Sequence, residues 1–249
     1  MKRGREDRIQ IQPQHSEHGF TLLELLVSMT VVSLLATTVL FSWRIAAGAW
    51  GRASQLVENQ RRVAAAHQVL EGQIAEMVSY APWRRQGIAD VFFQGEGQTA
   101  RFLSHYSLTH RARSGLYRIE YQIAEAGDGT RQLLMNEVPA PNPEESGLLL
   151  VGSEQNPQGL LRHFAPFERK PETRVLLDEL SEAHFEYYRP AGPWGPGSWL
   201  AEWFGRGNEL PRAMAIRLTP KAGNGSLPPV SIVAAIASYA GSLPDASGL

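Results

Sequence analysis

The feature that most constrains this chain is the run Phe20–Trp43, which holds one charged side chain, Glu24. As a helix it would be about 36 Å long, enough to cross a bilayer with some tilt. It exceeds a typical secretory apolar region, and Phe41-Ser42-Trp43-Arg44 offers no small-x-small cleavage site. The expectation is therefore a retained anchor rather than an ordinary signal peptide. Before it, Lys2, Arg3, Arg5 and Arg8 outnumber Glu6, Asp7 and Glu17. That bias keeps such a tail on the cytoplasmic side. No helical apolar period runs through residues 1–19, which read as a disordered leader.

Glu24 separates a plain anchor from a sharper reading. A carboxylate just inside hydrocarbon is costly unless paired, so it is a functional candidate. A cut between Gly19 and Phe20 would create an α-amino group four residues before Glu24. Terminus and carboxylate could then pair, above all between neighbouring subunits, which makes Glu24 an assembly device.

Gly19-Phe20-Thr21-Leu22-Leu23-Glu24, followed by an apolar helix, resembles the class III signal of type IV prepilins and type II secretion pseudopilins. The resemblance is short but specific, since it joins a cut site, a span and a carboxylate in fixed register. It implies cleavage after Gly19 by an inner-membrane prepilin peptidase/methyltransferase and N-methylation of the new terminal Phe20. Glu24 matches the position that acts in subunit docking. The implied location is the bacterial inner membrane, single-pass, with the head in the periplasm.

Helical periodicity continues beyond Arg44. Leu56, Val63, Leu70 and Met77 recur every seven residues and Ile74 follows Leu70 by four. The pattern covers only about three heptads, which favours the core-facing stripe of the chain's own head over a coiled coil. Gly48, Gly51 and Gly72 weaken the helix locally, and Pro82 ends it after Tyr80-Ala81. From Phe20 to Tyr80 an unbroken helix would run about 90 Å.

From Ala89 the period becomes that of strands. Val91–Phe93, Ala100–Leu103, Gly147–Val151, Met214–Leu218 and Val230–Ile236 read as strands. Leu116–Asn136 reads as a hairpin around Ala126-Gly127-Asp128-Gly129-Thr130. Pro139–Glu145 reads as a loop and residues 152–173 as irregular. Val175–Tyr188 is expected to open with a short turn or helix and to become a strand at Ala183–Tyr188. The fold class is thus α+β, a long N-terminal α-helix with a transmembrane first half and an amphipathic second half packed on a β-rich pseudopilin head. The domain reading is 1–19 leader, 20–43 transmembrane and assembly helix, 44–81 amphipathic helix, 82–241 head and 242–249 disordered tail.

Phe185-x-Tyr187, then a loop with Trp194, Trp199 and Trp203, then Leu210-Pro211-Arg212-Ala213 before a strand, is similar to the J-type minor pseudopilin of type II secretion. That resemblance covers about 60 residues and is less specific than the first. It implies a place at the pseudopilus tip beside I-type and K-type minor pseudopilins, and a part in starting filament growth. A W-type minor pilin of a type IV pilus is the nearest rival.

Other chemistry finds little support. The formal net charge is −1, with 24 basic and 25 acidic side chains, which argues against a nucleic-acid partner. With no cysteine there is no disulfide, thiolate metal site or Cys nucleophile. His15, His18, His67, His105, His110, His163 and His184 show no His-x-x-x-His ligand spacing, and no Gly-x-Ser-x-Gly elbow occurs. Asp128 lacks the companion ligands of a calcium loop. The chain is read as a non-enzymatic subunit with no cofactor and no metal. The reading set against it is a membrane-anchored periplasmic enzyme or binding protein. The tryptophans are expected in core packing or a subunit interface rather than a sugar platform.

Overall fold

The computed structural model describes residues 20–85, 88–109, 115–156, 159–192, 195–203, 209–222 and 228–237. The expected leader, the tail after Gly241, and His15, His18, His110 and Trp194 lie outside them. Residues up to Gly51 and from Arg52 onward form two compact units. The fold is α+β, a long N-terminal helix and a large antiparallel sheet.

One helix, α1, runs Leu22–Ala75 over 54 residues. In the first unit its apolar side chains are all exposed, Leu22, Met29, Leu34 and Phe41 among them. That stretch is long and apolar enough to cross a membrane. Ser28, Thr30, Thr37 and Thr38 return their hydroxyls to backbone carbonyls three or four residues earlier. Their polarity is thereby satisfied within the helix, as an apolar surrounding requires.

The second unit holds the core. Its strands are β1 (Met77–Val78), β2 (Trp83–Arg85), β3 (Ile88–Asp90), β4 (Gln94–Gly95), β5 (Thr99–Ser104), β6 (Tyr117–Glu125) and β7 (Arg131–Pro139). A 3-10 helix, Pro143–Leu149, leads into β8 (Leu150–Asn156) and β9 (Gly159–Phe164). Then come β10 (Arg174–Arg189), β11 (Ser198–Leu200), β12 (Ala213–Pro220) and β13 (Val230–Ala235). Among the described residues, the main sheet runs β1-β5-β6-β7-β10-β12-β13, with β4 on β5 and β11 on β10. The hairpins β2-β3 and β8-β9 stand apart from it.

Ala66, Val69, Leu70 and Ile74 of α1 join Phe102, Ile119, Tyr121, Leu133, Met135 and Phe185 in one buried cluster. Strand alternation sends these sheet residues to a common face. The other face of the β5 region holds Phe92, Leu103, Ala140 and Phe164. The expected stripe is met at Val63, Leu70 and Ile74; Met77 joins the same cluster from β1, and Leu56 remains 37% exposed.

Four stretches depart from expectation. First, α1 stops at Ala75, before Pro82 can act. Met77 and Val78 instead pair with Ser104 and Leu103, and Glu76 accepts the His105 N–H. Second, Val91–Phe93 is buried but forms no strand, lying between β3 and β4. Third, Pro143–Leu149, with Pro143 in its first turn, takes most of the strand expected over Gly147–Val151. Residues 152–173, expected to be irregular, contain most of the β8-β9 hairpin. Fourth, Arg174–Arg189 is a strand throughout. Leu177, Leu180 and Ala183 are buried at a spacing of three, which mimics a helix. Register shifts at Val175/Leu177, Leu177/Leu180 and Leu180/Glu182 insert the extra residues that turn them to one side. Glu179, at φ 54°, sits in this irregular stretch.

Candidate functional site

The N-terminal signal and the region of the head around Tyr187 are the two places where sequence patterns meet geometry. In the first, Phe20 is 77% exposed and precedes the helix, and Gly19 lies outside the described residues. Glu24 is exposed in the first turn of α1. Its backbone N–H donates to Thr21 Oγ1 at 3.2 Å. Thr21 is thus an N-cap, satisfying one of the donors a helix leaves free at its start. Glu24 stands three residues later, the spacing of a capping box, and its charge suits the positive end of the helix dipole. The Thr-x-x-Glu spacing of Thr21 and Glu24 is the sequence signal for this cap.

In the head, Phe185, Tyr187 and Trp203 lie in one buried cluster. Phe185 and Tyr187 of β10 are fully buried, and Trp203 is 6% exposed. The Tyr187 hydroxyl donates to the Glu96 carbonyl at 2.9 Å, and its ring stands edge-on to Phe93 at 5.8 Å. Burial holds this phenol well above the usual range. Trp203 reaches the same place: its N–H donates to the Gly95 carbonyl at 2.8 Å and its indole to the Glu209 carbonyl at 3.2 Å. The Arg189 guanidinium lies 5.7 Å from the Trp203 ring. A side chain at Gly95 would strike Phe93 and Trp203, at 2.7 and 2.8 Å from its Cβ, so glycine is what lets these elements close.

Arg212, in the stretch before β12, donates its N–H to the Tyr188 carbonyl and accepts from Ile236. The tryptophans do not form one cluster among the described residues. Trp203 is core, and Trp199 is 37% exposed beside Tyr188, ring centroids 5.2 Å apart. Packing, not an open platform, is the role of Trp203.

Polar residues tie the helix to the sheet. Gln73 of α1, fully buried, donates to Glu137 Oε2 at 3.2 Å and accepts from the Tyr121 hydroxyl. Glu137 also takes the Ser107 hydroxyl at 2.5 Å, the Leu108 N–H at 2.8 Å and the Thr109 N–H at 3.2 Å. Burial first, and then the Glu137 charge, raise the Tyr121 phenol well above its usual range. Sequence patterning gives no sign of this network, because its members are far apart in the chain.

The described histidines are dispersed. His67 lies 3.9 Å from Glu71, His163 3.8 Å from Glu154 and His184 3.4 Å from Glu186, while His105 Nδ1 is 3.0 Å from the Gly115 carbonyl. Among the described residues, no three His, Asp or Glu side chains are grouped to hold a metal ion. Asp128 Oδ1 accepts from the Thr130 N–H and hydroxyl at 3.0 and 2.6 Å, the geometry of a hairpin turn.

Residues 14–40 match the prokaryotic N-terminal methylation motif. No curated protein sequence matches the chain. The matched stretch covers the end of the expected leader, Gly19, Phe20, Thr21, Glu24 and most of the apolar run. It supports a prepilin-like class III signal here and, on that ground, a pilin-like structural protein processed by a prepilin peptidase and assembled with similar subunits. The apolar half of α1 fits a single membrane anchor.

Proposed function

We propose that this chain is a J-type minor pseudopilin of a type II secretion system, a subunit of the pseudopilus tip that helps to start the filament. The carrying observation is the register of Gly19, Phe20 and Glu24 at the head of an apolar helix, within the matched methylation motif. On this reading 1–19 is a leader removed after Gly19, and Phe20 becomes the N-methylated terminus. Residues 20–43 span the inner membrane, 44–81 and 82–241 make the periplasmic head, and 242–249 is a tail. Glu24 docks the subunit through the terminus of a neighbour, since an unpaired carboxylate in an apolar surrounding is unfavourable. The role is structural, and the head supplies partner specificity toward I-type and K-type subunits.

Convergence of Phe185, Tyr187, Trp203 and the Arg212 stretch supports the subtype. A W-type minor pilin of a type IV pilus is the rival reading, because a cysteine-free β-rich head serves it equally well. Affinity capture of the full chain from detergent-solubilised membranes tests the choice. Recovery of I-type and K-type pseudopilins supports the secretion reading; recovery of pilus minor subunits in their place replaces it with the rival. In the same membranes Glu24→Ala is expected to lose those partners while the head stays protease-resistant. Full retention of partners would remove Glu24 from docking.

A further inference from the structure

We propose that the lipid contact of α1 reaches past Trp43 to Trp50, with Trp43, Arg44 and Trp50 forming a girdle in the phospholipid headgroup layer. This rests on the membrane-anchor reading of the helix, and not on the cut after Gly19 or the kind of filament.

Between Glu24 and Arg52 the only charged side chain is Arg44. From Arg52 onward the helix becomes densely charged, with Glu58, Arg61 and Arg62 close behind. Ile45-Ala46-Ala47-Gly48-Ala49-Trp50-Gly51 is uncharged over about two helical turns. Trp43 is 76% exposed, Ile45 70% and Trp50 78%, so among the described residues the protein itself does not cover them. No described carboxylate pairs with Arg44.

From Leu22, Trp43 lies about 32 Å and Trp50 about 42 Å along the helix. A bilayer has a hydrocarbon core of about 30 Å and, with its headgroups, spans about 40–45 Å. Entering the hydrocarbon at Leu22 with a tilt of about 30°, the helix rises about 27 Å to Trp43, just inside the far hydrocarbon border, and about 36 Å to Trp50, at the outer edge of the far headgroups.

Indole has an apolar body and one N–H donor, and tryptophan gathers at membrane–water interfaces for that reason. A guanidinium between two such rings meets lipid phosphate, and its long stem lets it reach outward. Successive helical residues turn by about 100°, so Trp43, Arg44, Ile45 and Ala46 point in different directions around the axis. Apart from Arg44 this surface is uncharged all round, which suits surrounding lipid, whereas a partner helix needs one stripe. It also continues without a break the exposed apolar surface from Phe20 to Phe41.

The chain has no cysteine, which makes the test direct. Single-cysteine variants Val32→Cys, Ala47→Cys, Ser54→Cys and Glu58→Cys of the full chain are placed in phosphatidylethanolamine/phosphatidylglycerol vesicles with the head outward. Each is labelled with a membrane-impermeant maleimide. Ala47→Cys is expected to react at least tenfold more slowly than Ser54→Cys and Glu58→Cys, with Val32→Cys unreactive. A bimane on Ala47→Cys is expected to be quenched by headgroup-nitroxide lipid more strongly than one on Val32→Cys. Equal labelling of Ala47→Cys and Ser54→Cys, with Val32→Cys still shielded, would overturn the girdle alone. Slow labelling without headgroup quenching would assign the stretch to a protein partner and overturn it too. Reactive Val32→Cys would remove the membrane anchor and the girdle with it.

Discussion

The Tyr121 hydroxyl of β6 donates a hydrogen bond to the Gln73 side chain of α1 at a point where both residues are fully buried. Leaving either partner alone strands a polar group without water, at a cost of about 1–3 kcal/mol. Gln73→Met in the full chain in detergent is therefore expected to lower unfolding free energy by about that much. Adding Tyr121→Phe is expected to recover part of the loss, since the stranded hydroxyl is then gone while Glu137 keeps its bonds from Ser107, Leu108 and Thr109. Denaturant titration by tryptophan fluorescence checks this; a double variant as weak as the sum of the singles would contradict it.

Gly95 is expected to tolerate no side chain. Its Cβ would lie 2.7 Å from Phe93, 2.8 Å from Trp203 and 3.0 Å from Tyr187. Gly95→Ala should destabilise the head by about 1–3 kcal/mol, as overpacking does. Gly97→Ala is the control, with a nearest neighbour at 3.8 Å, and should stay within about 0.5 kcal/mol of the parent. Unfolding midpoints of the two variants, measured side by side, decide it.

What could be read from sequence was whatever is local and periodic. The hairpin over Leu116–Asn136 is β6 and β7, because the alternation of Leu116–Ile123 and the Asp128-Gly129 turn act within a few residues of one another. The helix and its stripe around Leu70 were legible for the same reason. Its end was not, because the pairing of Met77 and Val78 with β5 is a long-range contact that overrides propensity. The start of β10 does not show as a strand in the sequence because bulges replace the period of two with a spacing of three. Of the functional positions, Phe20 and Glu24 stand out by register, whereas the Gln73–Glu137 network needs the fold to assemble it.

Asp128 gives a pH dependence with a definite sign. The Thr130 hydroxyl and N–H, with Lys221 adding a weaker pull, hold its carboxyl at about 2. A folded-state value below the unfolded one stabilises above the unfolded value, near 3.8, and that contribution disappears as pH falls toward 2. Asp128→Asn should be less stable than the parent at pH 5–7, with the gap closing between about pH 4 and 2. Unfolding midpoints across that range test it, and a constant gap would contradict the assignment.

Thr21 is expected to fix where α1 begins. Thr21→Ala removes the acceptor for the Glu24 N–H and should weaken the first turn by about 1 kcal/mol, while Thr21→Ser should not. Hydrogen exchange of the Leu22–Leu25 amides in micelles reads this directly. Faster exchange in the alanine variant alone is the expected result; equal exchange in all three proteins would show that the cap is idle.

The central claim is that Gly19–Glu24 is a processing and docking signal, and the intact mass of the protein tests it most directly. Purified from a host with an active prepilin peptidase, the chain should begin at Phe20 and carry one added methyl group on that terminus. From a host lacking the peptidase it should retain residues 1–19. A full-length, unmethylated mass from both hosts would contradict the account.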